Sequence, residues 1–251
     1  MKSKLPDVGT TIFAVMTKMA VDHEAINLSQ GFPDFPISSR LIELVNEGML
    51  AGMNQYSPMP GLPILRQAIS RKIKKTYAIN VDPENEITVT AGGTQALYAA
   101  FAALLEPGDE VIVFDPAYDS YNPAIRLNNA KPVHLTLKPP LFNIDWDEVE
   151  STINSSTKAI IINTPHNPSG AVLSHEDMQH LSNIIVSNNL YLISDEVYEH
   201  IIFDNIEHKS ALKYPELRER TIAIYSFGKT FHATGWKTGY AIAPPEITVE
   251  F

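Results

Sequence analysis

Seven short apolar or β-branched runs recur along the chain, at 86–90, 110–115, 133–137, 159–163, 190–195, 221–226 and 237–243. Stretches of helical period stand among them at 94–105, 145–153 and 175–186. The runs are apolar throughout rather than alternating, which is the pattern of strands covered on both faces. Strand and helix in alternation then predict an α/β fold, a mainly parallel sheet sandwiched by helices. Asn143 and Ser174 are read as N-caps of the helices that follow them. Sheets of this kind bind ligands beyond the carboxyl ends of their strands, so chemistry is sought there.

Two other pieces precede the sheet. Residues 1–38 hold a short predicted helix at 10–22 and a proline-rich turn, Gly31-Phe32-Pro33-Asp34-Phe35-Pro36. Residues 39–79 hold two amphipathic helices, at 40–50 and 61–77, joined by Asn54-Gln55-Tyr56-Ser57-Pro58-Met59-Pro60-Gly61. With 251 residues, 44% hydrophobic and 19% charged, the chain reads as a globular enzyme. A net charge of −10 argues against nucleic acid or an anionic membrane as partner. The absence of cysteine excludes disulfides, a thiolate nucleophile and cysteine-held metal. Residues 1–7 carry no apolar core of signal-peptide length, and no apolar run approaches ~18 residues. The expected compartment is the cytoplasm.

Several strand ends carry reactive or ligand-binding residue types. Lys229 follows the run 221–225 within Ser226-Phe227-Gly228-Lys229-Thr230-Phe231. An ammonium stripped of water there would favour the neutral amine, the form that attacks carbonyls. The bland alternative is a solvated loop lysine. Ala91-Gly92-Gly93-Thr94-Gln95-Ala96-Leu97 passes from a strand into a helix, where glycines and free N–H groups can cradle a phosphate, or simply make a turn. Tyr118, past the strand at 110–115, can lay its ring on a flat heteroaromatic ligand. In Asn163-Thr164-Pro165-His166-Asn167-Pro168-Ser169-Gly170 the prolines fix the backbone, so that the Asn167 amide can donate to a phenolate oxygen. His166 reads as a structural loop histidine. Asp195 ends an apolar run, and a carboxylate there needs a cation such as a protonated pyridine nitrogen. Its competing reading is a helix cap for 196–200. Tyr198 would lie close to it if the chain turns helically. Each signal is modest alone, but in this order they compose one pyridoxal phosphate site.

Ser226-Phe227-Gly228-Lys229 and Gly235-Trp236-Lys237-Thr238-Gly239-Tyr240 resemble the signature of class I/II aminotransferases of fold-type I, which use pyridoxal 5′-phosphate. The segments at 27–35, 54–61, 164–168 and 194–198 resemble that family as well. The stretches 31–34 and 194–200 look closest to its methionine and kynurenine/glutamine aminotransferase branch. The resemblance implies that Lys229 forms the Schiff base and moves the proton. Asp195 would pair with the pyridinium nitrogen, Asn167 and Tyr198 with the phenolate oxygen, and Tyr118 would stack on the ring. Gly93, Thr94, Gln95, Ser226 and Lys237 would hold the phosphate. Lys237 stands where many relatives have arginine, and it keeps the charge but not the bidentate fork. Tyr56 would reach the phosphate in the neighbouring subunit of a homodimer, and Gly31 would lie against the substrate carboxylate.

On this reading residues 1–38 form an N-terminal arm and part of a small domain. Residues 39–251 form the large cofactor-binding domain, incomplete at its C-terminus. Relatives continue past the point where this chain reaches Phe251, and a C-terminal small domain would carry the arginine for the substrate α-carboxylate. None of Arg40, Arg66, Arg71, Arg126, Arg218 and Arg220 lies in a matching motif. The expected reaction moves an amino group from a methionine-like or aromatic amino acid to a 2-oxo acid. Alternatives are a cysteine-conjugate β-lyase on the same fold and an inert cofactor-binding fragment. A sensor domain of a transcription regulator is a further class, but it needs a DNA-binding module ahead of the fold.

Overall fold

The structure is a computed structural model that describes residues 2–31 and 33–251. Met1 and Phe32, the latter within the predicted proline-rich turn, lie outside the described residues. Three helices come first: α1 (Ile12–Asp22), α2 (Ser39–Leu50) and α3 (Pro63–Tyr77). Seven strands follow: β1 (Ile87–Thr90), β2 (Glu110–Asp115), β3 (Lys131–Thr136), β4 (Thr157–Asn163), β5 (Tyr191–Asp195), β6 (Thr221–Ser226) and β7 (Gly239–Ile242). The longer helices among them are α4 (Gly93–Leu104), α5 (Tyr121–Leu127), α6 (Trp146–Thr152) and α7 (His175–Ser187). The last three are single turns: α8 (Pro215–Arg218), α9 (Phe227–Thr230) and α10 (Pro245–Thr248).

The strands form one sheet in the order β1-β7-β6-β5-β4-β2-β3. Pairings from β3 across to β6 are parallel, while β7 runs antiparallel to both β1 and β6. The carboxyl ends of β1, β2, β4, β5 and β6 therefore share one edge with the amino end of β7. In β4 the side chains alternate between two packed layers. Ala159 and Ile161 join Leu97, Phe101 and Ile125 from α4 and α5. Ile160 and Ile162 join Met178, Leu181 and Ile185 from α7. A third cluster packs Ile69, Ile73 and Tyr77 of α3 on Ile87, Tyr225 and Tyr240.

The helix N-caps are one expected and one corrected. Ser174 caps α7 in a reciprocal box with Asp177. The cap of α6 is Asp145 rather than Asn143, its carboxylate accepting from Glu148 N at 3.1 Å. Two residues nearer the first turn, it reaches the free N–H groups, and its charge suits the positive helix end. By contrast α1 and α2 bury no residue, and their Val15, Met19, Leu44 and Met49 side chains are exposed. Among the described residues no helix is long and apolar enough to cross a membrane.

Ile161 is 1% exposed and Ile12 63%. Ile161→Ala should lower the unfolding free energy by about 2–5 kcal/mol, and Ile12→Ala by under about 0.5 kcal/mol, as read by urea denaturation.

Candidate active site

The shared strand edge opens into a cavity of about 140 Å³. β1 leads into its Gly92–Thr94 wall, β2 into Tyr118, β4 ends in Asn163 with Asn167 beyond, and β5 ends in Asp195 with Tyr198 beyond. β6 delivers Ser226 and Lys229, and the entry to β7 delivers Lys237. Six segments spread along the sequence thus meet at one place, as the topology requires.

One end of the cavity is a cup for an anion. Gly92, at φ +83°, is the N-cap of α4 and has no side-chain cap bond, so the first-turn N–H groups face the cavity edge without a capping oxygen. Gly239 makes the close approach possible. A Cβ there would lie 2.8 Å from Gly92 C and Gly93 N, and 2.7 Å from Tyr225 O, all backbone atoms that cannot swing aside. Lys237, in the left-handed region at φ +52°, brings its ammonium over Gly92, where an added Cβ would meet Nζ at 3.4 Å. Gly93, Thr94, Ser226 and Lys237 all line the cavity. The Gln95 side chain does not. Its Oε1 accepts from Ala91 N at 2.5 Å and is used in closing the turn.

The floor is Asp195, 3% exposed. Its neighbours in register are Asn163 of β4 and Ile224 of β6. Asn163 ties the two loops together, donating from Nδ2 to Asp195 O at 2.9 Å and accepting from Asn167 N at 2.7 Å. Asp195 Oδ2 accepts from the Tyr121 hydroxyl at 2.5 Å. Loss of water pushes the carboxyl up to about 6; the bond from Tyr121 and the N–H of Val197 pull the other way, the Glu196 charge adds to the rise, and the Lys229 charge opposes it. No helix forms over 196–200, so Asp195 is not a helix cap. The chain instead turns there, and the Val197 N–H reaches Oδ1 only at 3.4 Å.

Around this floor stand the remaining predicted groups. Asn167 Nδ2 is 3.5 Å from Tyr198 Oη, which puts the amide and phenol side by side. Tyr118 meets Tyr121 edge to face, ring centres 5.7 Å apart at 78°. His166 is structural, as read from the sequence. It accepts from Ser169 Oγ at 2.7 Å and donates to Pro116 O at 3.0 Å, tying the β4 loop to the β2 loop, and burial holds its ring below the usual histidine range.

Lys229 is placed as expected but not in the expected environment. It sits on the single turn α9 at the cavity mouth, exposed, with Nζ 5.3 Å from the Tyr198 ring centre. The group stripped of water in this cavity is Asp195. Gly31 and Tyr56 are exposed and line no part of the cavity. Among the described residues no arginine lines it either. Arg66 is buried on Gly61 O and Pro83 O, Arg126 pairs with Asp7, and Arg218 with Glu86. The sequence reading gave no role to Asn163 or Tyr121. Asn163 had a usable signal, a polar residue at the end of an apolar run, whereas the Tyr121 contact spans 74 residues and had none.

A buried carboxylate with, among the described residues, no cation in ion-pair contact, a ring wall, a paired amide and phenol, an uncapped helix start with an ammonium above it, and a lysine at the mouth are the donor set that pyridoxal phosphate needs. The comparisons agree. The family model for aminotransferase class I and II matches residues 23–250, and the chain belongs to that family, whose members depend on pyridoxal phosphate. It is 50% identical to the methionine aminotransferase of Escherichia coli over 99% of this chain and 64% of the relative. The solved E. coli structure superposes with a TM-score of 0.97 over all of this chain and 65% of that one. A Mycobacterium tuberculosis N-succinyldiaminopimelate aminotransferase structure is 40% identical, TM-score 0.95, over 100% and 66%. Kynurenine–oxoglutarate transaminase 3 of Rattus norvegicus is 38% identical over 97% of this chain and 56% of its own. The chain thus spans between 56% and 66% of the length of these relatives.

The raised Asp195 value sets a direction for stability. The fold disfavours the charged form, so the stability tied to this group is full below the ordinary carboxyl range and is lost as pH rises through about 6. The loss amounts to about 3 kcal/mol on the alkaline side. In cofactor-free protein, Asp195→Asn should therefore be more stable than the parent at pH 8 by about 2–3 kcal/mol, with the gap closing toward pH 4 in denaturant melts.

Proposed function

We propose that this chain is the cofactor-holding part of an aminotransferase that takes the amino group from methionine or an aromatic amino acid and passes it to a 2-oxo acid. The observation that carries the reading is the pairing, in one cavity, of a dehydrated carboxylate with a lysine amine at the mouth. Bound pyridoxal phosphate supplies an electron sink for the charge left at a substrate Cα when its proton leaves.

The chain's own residues do the rest. The N–H groups of Gly93 and Thr94, the Ser226 hydroxyl and the Lys237 ammonium hold the phosphate. An ionised Asp195 keeps a proton on the ring nitrogen, which preserves the sink. Asn167 Nδ2 and Tyr198 Oη bind the phenolate oxygen, and Tyr118 fixes the ring plane. Lys229 Nζ would anchor the cofactor and, as a free amine, would be the base that takes the proton from the Cα of a bound amino acid. Gln95 contributes to the phosphate cup through its backbone only.

Residues 1–38 are read as an arm joined to a smaller domain and 39–251 as the large domain. The exposed apolar side chains of α1 and α2 suit burial by a second copy, and the exposed Tyr56 suits a site shared between subunits. Gly31 would then meet the substrate only in the assembled enzyme. Substrate choice follows the 50% identical methionine aminotransferase, and the composition without cysteine supports a cytoplasmic setting.

Borohydride treatment of protein loaded with pyridoxal phosphate should leave the cofactor on the peptide that holds Lys229, and Lys229→Ala should abolish that labelling. Attachment at Lys237, or bound cofactor with no attachment, contradicts the assignment. With methionine as donor, pyridoxamine phosphate should accumulate; release of a thiol from a cysteine conjugate without it would favour the β-lyase instead.

A further inference from the structure

The Tyr121 hydroxyl plays no part in the reading above. Tyr121 opens α5, is 3% exposed, and is held by its N–H on Tyr118 O at 3.1 Å. Its hydroxyl lies 2.5 Å from Asp195 Oδ2, and its ring meets that of Tyr118 edge to face. One buried side chain touches both the acid on the floor and the ring on the wall. We propose that Tyr121 is a positioning residue that holds Asp195 ionised and fixes its rotamer, so that Oδ1 faces a cationic ring nitrogen. The facing of Oδ1 onto a ring nitrogen rests on the proposed pyridoxal phosphate site; the ionisation of Asp195 does not.

A carboxylate without water takes up a proton unless donors hold the charge. The groups facing this one can be named. Tyr121 comes from α5, Lys229 from α9, and the Val197 N–H and Glu196 from its own turn. Asn163 of β4 bonds its carbonyl, not its carboxyl. Glu196 works against the charge, and the Val197 contact is long, at 3.4 Å. Lys229 is the group the reaction itself consumes and releases, so its charge is not constant. Tyr121 is the constant donor. Burial and the nearby Asp195 charge push its own ionisation far above the working range, so it keeps its proton throughout.

The test is a carbon-13 titration of the Asp195 carboxyl in cofactor-free protein, with melts to show that each variant is folded. The parent should titrate near 6. Tyr121→Phe, which keeps the ring, should raise the midpoint by about one pH unit. Replacing Tyr121 by 3-fluorotyrosine, a stronger donor of the same shape, should lower it, and this decides the matter if the phenylalanine variant does not fold. Pyridoxal phosphate should lose more affinity for Tyr121→Phe at pH 6 than at pH 8. An unchanged Asp195 midpoint in either folded variant overturns the proposal. If pyridoxal phosphate fails to bind the parent, the functional reading falls while the titration still decides the role of Tyr121. If it binds with the midpoint unmoved, the role of Tyr121 alone falls.

Discussion

The end of β5 and the turn that follows it carry three carboxylates with little or no access to water, and their different treatment organises the site. Glu196 accepts from Ser194 Oγ, Ala211 N, Tyr225 Oη and His208 Nε2. Burial pushes Glu196 up, but His208 and the other donors outweigh it and hold the group below the usual glutamate range. Glu199 takes Tyr77 Oη and Lys72 Nζ. Both are satisfied behind the sheet edge, next to α3. Asp195 points the other way, into the cavity, with one strong donor and, among the described residues, no cation in ion-pair contact. A buried charge left incomplete is costly, and such a group is better explained as half of an interaction than as part of the scaffold. Glu196 and Glu199 clamp the turn from behind, and Asp195 and Tyr198 are thereby aimed forward.

The sheet order makes this arrangement possible. β5 lies between β4 and β6, so residue 195 is held by neighbours on both sides. The reversed β7 between β1 and β6 brings Lys237 and Gly239 against Gly92 and Gly93. A seventh parallel strand would have presented its carboxyl end there instead. The cup at Gly92–Thr94 is a product of that single antiparallel insertion and of a glycine small enough for the contact.

Much of this was legible in the sequence because it was local. The strands at 110–115 and 221–226 agree with the structure to the residue, since apolar runs bounded by polar residues define buried strands directly. Ser174 could be read as a cap because its partner Asp177 is three residues away. Asn143 failed because a cap depends on which turn becomes the first, and α6 begins at Trp146, directly after Asp145. The single turns α8, α9 and α10 are too short to show a period. The family resemblance supplied roles for Lys229, Asp195 and Tyr198, yet it gave no exposure, and desolvation was assigned to Lys229 when the structure gives it to Asp195. The motif that brought in Gln95 gave no conformation for its side chain, which accepts from Ala91 N. Tyr121 of α5 and Asn163 of β4 act through contacts with β5, between elements apart in sequence, which no spacing rule encodes.

The central claim is that the cavity holds pyridoxal phosphate in one orientation, with Asp195 at the ring nitrogen and Gly93, Thr94, Ser226 and Lys237 at the phosphate. The most direct measurement is an electron-density map of the protein crystallised with the cofactor. The account predicts ring density beside Tyr118, its nitrogen in hydrogen-bond contact with the Asp195 carboxyl, and phosphate on the first-turn N–H groups of α4. Density with the phosphate at Asp195, or outside this cavity, would contradict it.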